Sequence, residues 1–262
     1  MYPYEIVFGM GLYEIFILLG VIVCFIVFRI LADRKNFSAH FQNLVLTSAF
    51  FAIVLGYISA VLTQAVYNAL ETGTFKIAKD TGATFLGGLT GGAAVFLIIY
   101  FIGGKIRLKE SHEHIERFSD FTSIAGACIS IAHAFGRIGC FFAGCCHGKP
   151  TEKWYGIKFL TSDVKLIPVQ LFEAVFLTLL FGLLLYLNLT KKEFKSGLYF
   201  YMILYGIWRF FAEFMRGDDR GAFFIKVLSP SQGVSILLII AGLVLLVLFG
   251  ISRGANDKKE NC

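Results

Sequence analysis

The stretch AHAFGRIGCFFAGCCHGKPTEKWYG, residues 132–156, sets one arginine, three cysteines and two histidines at the end of an apolar run that begins at Phe121. That run, 121–142, has about the 20 residues an α-helix needs to cross a hydrocarbon core roughly 30 Å thick. Arg137 lies inside it, and a guanidinium at that depth costs several kcal/mol unless it meets a partner or a water-filled cavity. Arg137 is therefore read as a functional residue. The plainer reading is an arginine satisfied by helix carbonyls or by a structural carboxylate.

Working outward, the chain repeats the same apolar pattern. Its 262 residues are 57% hydrophobic and 16% charged, with a mean hydropathy of +0.73. A soluble domain of that composition would expose more apolar surface than water tolerates, whereas repeated spans account for the excess. Seven spans are expected, at 12–31, 44–67, 84–102, 121–142, 169–189, 198–215 and 234–251. The fold class is thus an all-α polytopic membrane protein, one integral domain over 1–262. No basic residue precedes the first span and no small-residue cleavage site follows it, so it reads as a retained helix. With the N-terminus outside, the inner segments (29–35, 105–117, 191–195 and 253–259) carry thirteen Lys and Arg against nine in the outer ones (76–79, 149–165 and 216–226). The positive-inside rule then favours N-terminus out and C-terminus in. The net charge of +6 comes without a basic cluster interleaved with aromatics, which excludes a nucleic-acid partner.

In that orientation the unusual residues gather toward the outer half. Gly87, Gly88, Gly91 and Gly92 form overlapping small-xxx-small pairs, suited to close helix packing or to a lipid chain sliding past. PVQLFE (168–173) opens the fifth span and supplies Gln170 and Glu173. In the sixth, Tyr205, Arg209, Glu213 and Arg216 recur at steps of four, four and three, the spacing of one helical face. Inside lipid such a stripe faces a partner or a cavity, although an Arg209–Glu213 bridge that only holds the bundle together is the competing reading. Two or three arginines open to lipid make a cradle for phosphate, which a guanidinium binds through two parallel hydrogen bonds. His133 lies one turn before Arg137, on the same face.

GRIGCFFAGCCHGKPT, followed by PVQLFE and YGIWRFFAEFMR, resembles the prolipoprotein diacylglyceryl transferases, seven-helix bacterial enzymes that move diacylglycerol from phosphatidylglycerol onto a lipoprotein cysteine. By that resemblance Arg137 corresponds to the arginine of the family's GRIGN signature and Gly148 to its later glycine. Tyr205, Arg209 and Glu213 match the family's YGxxRxxxEFxR. The resemblance implies a phospholipid head-group site on the outer side of the bacterial cytoplasmic membrane, lined by Gly87, Gly88, Gly139, Cys140, Cys145, His147, Gly148, Gln170, Glu173 and Arg216. It also marks departures: Cys140 stands for the Asn of GRIGN, Cys145 for the Glu of NGE, and Leu86 for the histidine of HGGL. His133 or His147 is then the remaining proton acceptor, since an imidazole can take a proton near neutrality.

The expected reaction is transfer of a diacylglyceryl group from phosphatidylglycerol to an acceptor, by resemblance the lipobox cysteine of a prolipoprotein signal peptide. Arg137 and Arg209 hold the phosphate and stabilise the leaving group, while Tyr205, Glu213 and His133 position or deprotonate the acceptor. Three other functions stay open: a related transferase with a non-thiol acceptor, a membrane thiol oxidoreductase, and a lipid-binding or transport protein. The cysteines admit zinc, a disulfide, or packed thiols in a modified pocket. Zinc is disfavoured by the spacing, because adjacent Cys145 and Cys146 are awkward ligands. Packed thiols are the expectation, with no metal and no cofactor.

Overall fold

The computed structural model describes residues 9–78, 81–160, 162–191, 193–217 and 228–260, with side chains up to 248. Of the loop cations weighed for orientation, Lys79, Lys192, Arg220 and Lys226 lie outside the described residues, as do the side chains of Arg253, Lys258 and Lys259. The chain forms two compact units: Ala32–Phe118, and Met1–Leu31 together with Ser119–Cys262.

The first unit is a helical hairpin, α2 (Ala39–Thr72) and α3 (Phe85–Arg107), completed by the one-turn α4 (Glu113–Glu116). Ser38 caps α2 by accepting a hydrogen bond from the Phe41 amide at 3.1 Å. Gly73 ends it in the left-handed conformation that a residue with no Cβ adopts freely, φ 74°. The glycine row of α3 turns toward α2. A Cβ on Gly92 would stand 3.1 Å from the Ala52 carbonyl, and one on Gly56 would stand 3.1 Å from the Gly92 Cα. The small residues therefore allow backbone-to-backbone approach, and Ser59 donates to the Gly87 carbonyl at 2.9 Å across that seam.

The second unit holds α1 (Leu12–Arg34), α5 (Phe118–Ala143), α6 (Val169–Thr190), α7 (Gly197–Ala212) and α8 (Pro230–Glu260). Helix α1 packs on α5 through stacked Phe16 and Phe142, centroids 5.1 Å apart. Helices α6 and α7 meet through stacked Phe176 and Trp208 at 4.7 Å. A capping box starts α8: Ser229 Oγ accepts from the Gln232 amide at 3.2 Å while Gln232 Oε1 accepts from the Ser229 amide at 3.1 Å. Pro230 follows at the first helical position, where its missing N–H costs nothing. Leu18, Ile22, Ile26 and Ile30, all exposed, form a stripe at steps of four along α1, an apolar face that suits lipid and not water.

Six of the described helices, α1, α2, α3, α5, α6 and α8, are long and apolar enough to cross a bilayer. The sixth expected span is shorter than its apolar run. Helix α7 has 16 residues and continues as a 3-10 turn, Glu213–Met215. At about 1.5 Å per helical residue and about 2.0 Å per 3-10 residue, the two together reach roughly 30 Å. Between α5 and α6 the chain forms a small hairpin, β1 (Ile157–Lys158) antiparallel to β2 (Lys165–Leu166), with isolated bridges from Pro150 to Leu166 and from Gly148 to Arg216.

Candidate active site

Three helices of the second unit deliver one buried polar hub. On α5, His133 and Arg137 lie four residues apart and share a face. Near the start of α6, Glu173 is only 1% exposed. On α7, Tyr201 and Tyr205 stack with ring centroids 5.6 Å apart. Glu173 Oε1 accepts from Tyr205 Oη at 2.8 Å and pairs with Arg137 Nε at 3.1 Å. Arg137 Nε also donates to His133 Nε2 at 3.3 Å, so the imidazole proton resides on Nδ1, directed to the Tyr201 hydroxyl at 3.0 Å. A buried carboxylate and a half-buried guanidinium compensate each other here, and the imidazole and phenols complete the hydrogen bonding.

A second cluster lies one turn further along α7. Arg209 Nη2 pairs with Glu213 Oε2 at 2.8 Å and donates to Ser231 Oγ at 2.9 Å; Ser229 Oγ donates to Glu213 Oε1 at 2.9 Å. The bridge weighed from spacing alone is thus present. It leaves Arg209 Nη1 buried and without a hydrogen-bond partner among the described residues. An unsatisfied buried donor on a cation is costly, and an oxygen of an anionic ligand removes that cost.

Arg216 departs from the stripe. Because α7 ends at Ala212 and Glu213–Met215 tightens to 3-10, Arg216 has extended backbone, φ −77° and ψ 149°, and bridges to Gly148. It is buried, and its guanidinium interacts with the Cys146 sulfur. Gly148 is enclosed: a Cβ there would lie 2.5 Å from the Met215 carbonyl oxygen and 2.8 Å from Val169 Cγ2. His147 donates from Nδ1 to the Gly148 carbonyl at 3.3 Å and leans on Phe159.

The three cysteines of the stretch converge. The Sγ atoms of Cys140, Cys145 and Cys146 all lie within 4.8 Å of one another, and all three are free thiols. Cys146 takes a positive φ of 62°, unusual for a side chain larger than glycine, next to Gly144 at 70°. Hydrogen bonds from Cys140 and Cys145, then the Arg216 guanidinium, hold the Cys146 thiol well below its ordinary value. Gln170 Nε2 fixes the loop by donating to the Cys145 carbonyl at 2.5 Å. Tyr13 of α1 interacts electrostatically with all three sulfurs and with Arg137, and Arg137 in turn with Cys140 and Cys146. Gly139 gives α1 room beside them, since a Cβ there would meet the Tyr13 ring at 3.2 Å. Gly87 and Gly88 belong to the other unit, where they face Thr63 and Ala60 of α2.

Four participants were not singled out from sequence. Tyr201 extends the stripe of Tyr205 and Arg209 back by one turn, so the four-residue step was a usable signal. Ser229 and Ser231 had no such signal, because their role depends on where α8 starts. Tyr13 reaches the cysteines only through the packing of α1 on α5.

The prolipoprotein diacylglyceryl transferase family model matches residues 4–248. A phosphatidylglycerol–prolipoprotein diacylglyceryl transferase of Clostridium tetani is 31% identical over 94% of this chain and 95% of its own length. One from Finegoldia magna is 32% identical over 97% of both chains, and the enzyme numbered 2 in Clostridium perfringens is 30% identical over 91% of both. With the family model matching residues 4–248 and similarity to these relatives running almost end to end, this chain belongs to the prolipoprotein diacylglyceryl transferase family.

Proposed function

We propose that this multi-pass membrane protein transfers the diacylglyceryl group of phosphatidylglycerol to the cysteine thiol of a prolipoprotein, in a bacterial cytoplasmic membrane, with its site toward the outer side. The observation that carries the proposal is the pairing of half-buried Arg137 and buried Arg209 with two carboxylates, Arg209 keeping an unpartnered donor. An anionic head group that moves into the pairs finds donors already oriented, which is the condition for stabilising charge that develops on the departing phosphate. The thirteen-to-nine excess of inner Lys and Arg supports N-terminus out and C-terminus in, with α7 counted as a span.

The residues divide the work as follows. Arg209 Nη1 takes one phosphate oxygen, and Arg137 turns from Glu173 toward another. That movement frees His133 Nε2, which accepts the proton of the incoming thiol. Tyr205 stays hydrogen-bonded to Glu173 and keeps that carboxylate from following the guanidinium. Sulfur bonds to the glyceryl carbon as the carbon–oxygen bond to phosphate breaks, and glycerol phosphate departs. The test is purified protein, labelled phosphatidylglycerol and a lipobox peptide, with every lipid and peptide product resolved by mass. A peptide heavier by one diacylglyceryl group, with release of glycerol phosphate, is the expected result. Phospholipid loss with the peptide unmodified would point to another acceptor, and an unchanged phospholipid pool would refute the transferase reading.

A further inference from the structure

We propose that Cys140, Cys145 and Cys146 form a zinc site with an open fourth position, and that the acceptor thiol binds there as a thiolate. The inference rests on the transferase reading for the identity of the acceptor; the metal site itself stands on geometry alone.

Tetrahedral zinc holds thiolates at about 2.3 Å, which sets sulfurs about 3.8 Å apart. The three Sγ atoms already lie within 4.8 Å of one another, so closure around an ion needs movement of about 1 Å. Spacing alone argued against such a site, because two consecutive residues ordinarily direct their side chains apart. The left-handed backbone at Cys146, φ 62°, accompanies the convergence of its sulfur with that of Cys145, and such a conformation in a residue with a Cβ costs of order 1–3 kcal/mol and persists only where its surroundings enforce it. The enforcement is visible: the Gln170 amide holds the Cys145 carbonyl, and the Gly148–Arg216 bridge clamps the chain just after His147. Cys145 is exposed while Cys140 and Cys146 are half-buried, which gives an ion a way in and leaves one side open.

Charge and position fit the same role. Zinc with three thiolates carries one net negative charge, and a fourth makes two; Arg216 and Arg137 are the cations whose fields act on these sulfurs. Zinc-bound thiol is deprotonated outright, so coordination turns a weakly nucleophilic acceptor into a reactive one. On binding, the acceptor S–H passes its proton to His133 Nε2 and its sulfur displaces water from zinc. The zinc-bound sulfur then forms the bond to the glyceryl carbon, the carbon–oxygen bond to phosphate breaks with both electrons on oxygen, and the neutral thioether leaves the metal. No oxidant or reductant is consumed. Such a site also supplies what Leu86 cannot where the resemblance places a histidine.

The test uses the full-length protein in detergent, stripped with chelator and titrated with cobalt(II) as a spectroscopic stand-in for zinc. One equivalent of cobalt should bind with a thiolate charge-transfer band of three sulfurs, and a lipobox peptide should raise it to four while its Cys→Ser version leaves it unchanged. The variant carrying Cys140→Ser, Cys145→Ser and Cys146→Ser should lose the band and slow transfer by about 100-fold, the order expected for loss of an activated nucleophile. Absence of cobalt binding by the stripped protein, a disulfide among these cysteines in the purified form, or full transfer by the triple variant would each overturn the proposal. A band that ignores the peptide would overturn the acceptor role. Three-thiolate cobalt binding without any diacylglyceryl transfer would instead count against the transferase reading and leave the metal site standing.

Discussion

Glu173→Gln separates charge from shape at the centre of the hub. Glutamine preserves the volume and an oxygen that can accept from Tyr205, and it removes the negative charge that faces Arg137 at 3.1 Å. Breaking a buried ion pair on one side costs about 3–5 kcal/mol, mostly because the surviving charge is left buried and uncompensated. The Arg137 side chain keeps 18% of its exposure, so the low end, about 3 kcal/mol, is the appropriate figure. For a chain of this size about 1 kcal/mol corresponds to roughly 2–4 °C, and the variant should melt about 6–12 °C lower in neutral detergent. Tyr205→Phe, which loses one hydrogen bond to a charged acceptor, should cost roughly 1.5–3 kcal/mol and so fall between variant and wild type. If Arg137 is the phosphate ligand, phosphatidylglycerol supplies the missing anion: the Glu173→Gln melt should recover with added phosphatidylglycerol and stay low with diacylglycerol, which carries no phosphate. A melting point within about 1 °C of wild type, or equal recovery with both lipids, would show that Glu173 and Arg137 are not mutually dependent and would refute the reasoning.

Other consequences follow from single contacts. Gly148→Ala drives a Cβ to 2.5 Å from a backbone carbonyl oxygen, where no flexible side chain can yield, so it should destabilise by about 1–3 kcal/mol and disturb the Arg216 bridge; thermal melts and transfer rate report both. Ser229→Ala removes the cap of α8 and one donor to Glu213, and should cost about 1 kcal/mol in stability with a measurable fall in transfer rate. His114 sits buried beneath Tyr100, whose hydroxyl donates to its carbonyl at 2.6 Å, and burial, followed by the nearby His112, holds its imidazole below the ordinary value. The unfolded chain therefore binds more protons there, so this contribution to stability should be lost as pH falls through about 6.5, and His114→Gln should flatten that part of the pH–melting profile.

The spans were legible because a bilayer imposes a length that hydropathy reports directly. Helix α5 begins three residues before its apolar run and ends one after it. Helix α2 runs well beyond its expected 44–67, because polar Ser38 caps it early and Gly73 stops it late, and a polar helix end outside lipid leaves no hydropathy signal. Helical spacing carried Tyr205, Arg209 and Glu213 but not Arg216, whose position depends on the tightening of the chain after Ala212. The hairpin of Ile157–Lys158 with Lys165–Leu166 had no sequence signal, since two-residue strands are too short to alternate. The meeting of the three cysteines was hidden for a different reason. It needs a left-handed residue at Cys146, and side-chain identity predicts that conformation only for glycine and, weakly, for a few polar residues.

The most direct test of the central claim, that Arg137 grips the phospholipid phosphate, is the initial rate of diacylglyceryl transfer by Arg137→Lys in phosphatidylglycerol vesicles with a lipobox peptide. Lysine retains the charge and loses the planar fork that turns from Glu173 to present parallel donors to the phosphate. A fall of about 100-fold or more, with the protein folded and the mass of any residual product unchanged, is the predicted result. A rate within a few-fold of wild type would contradict it.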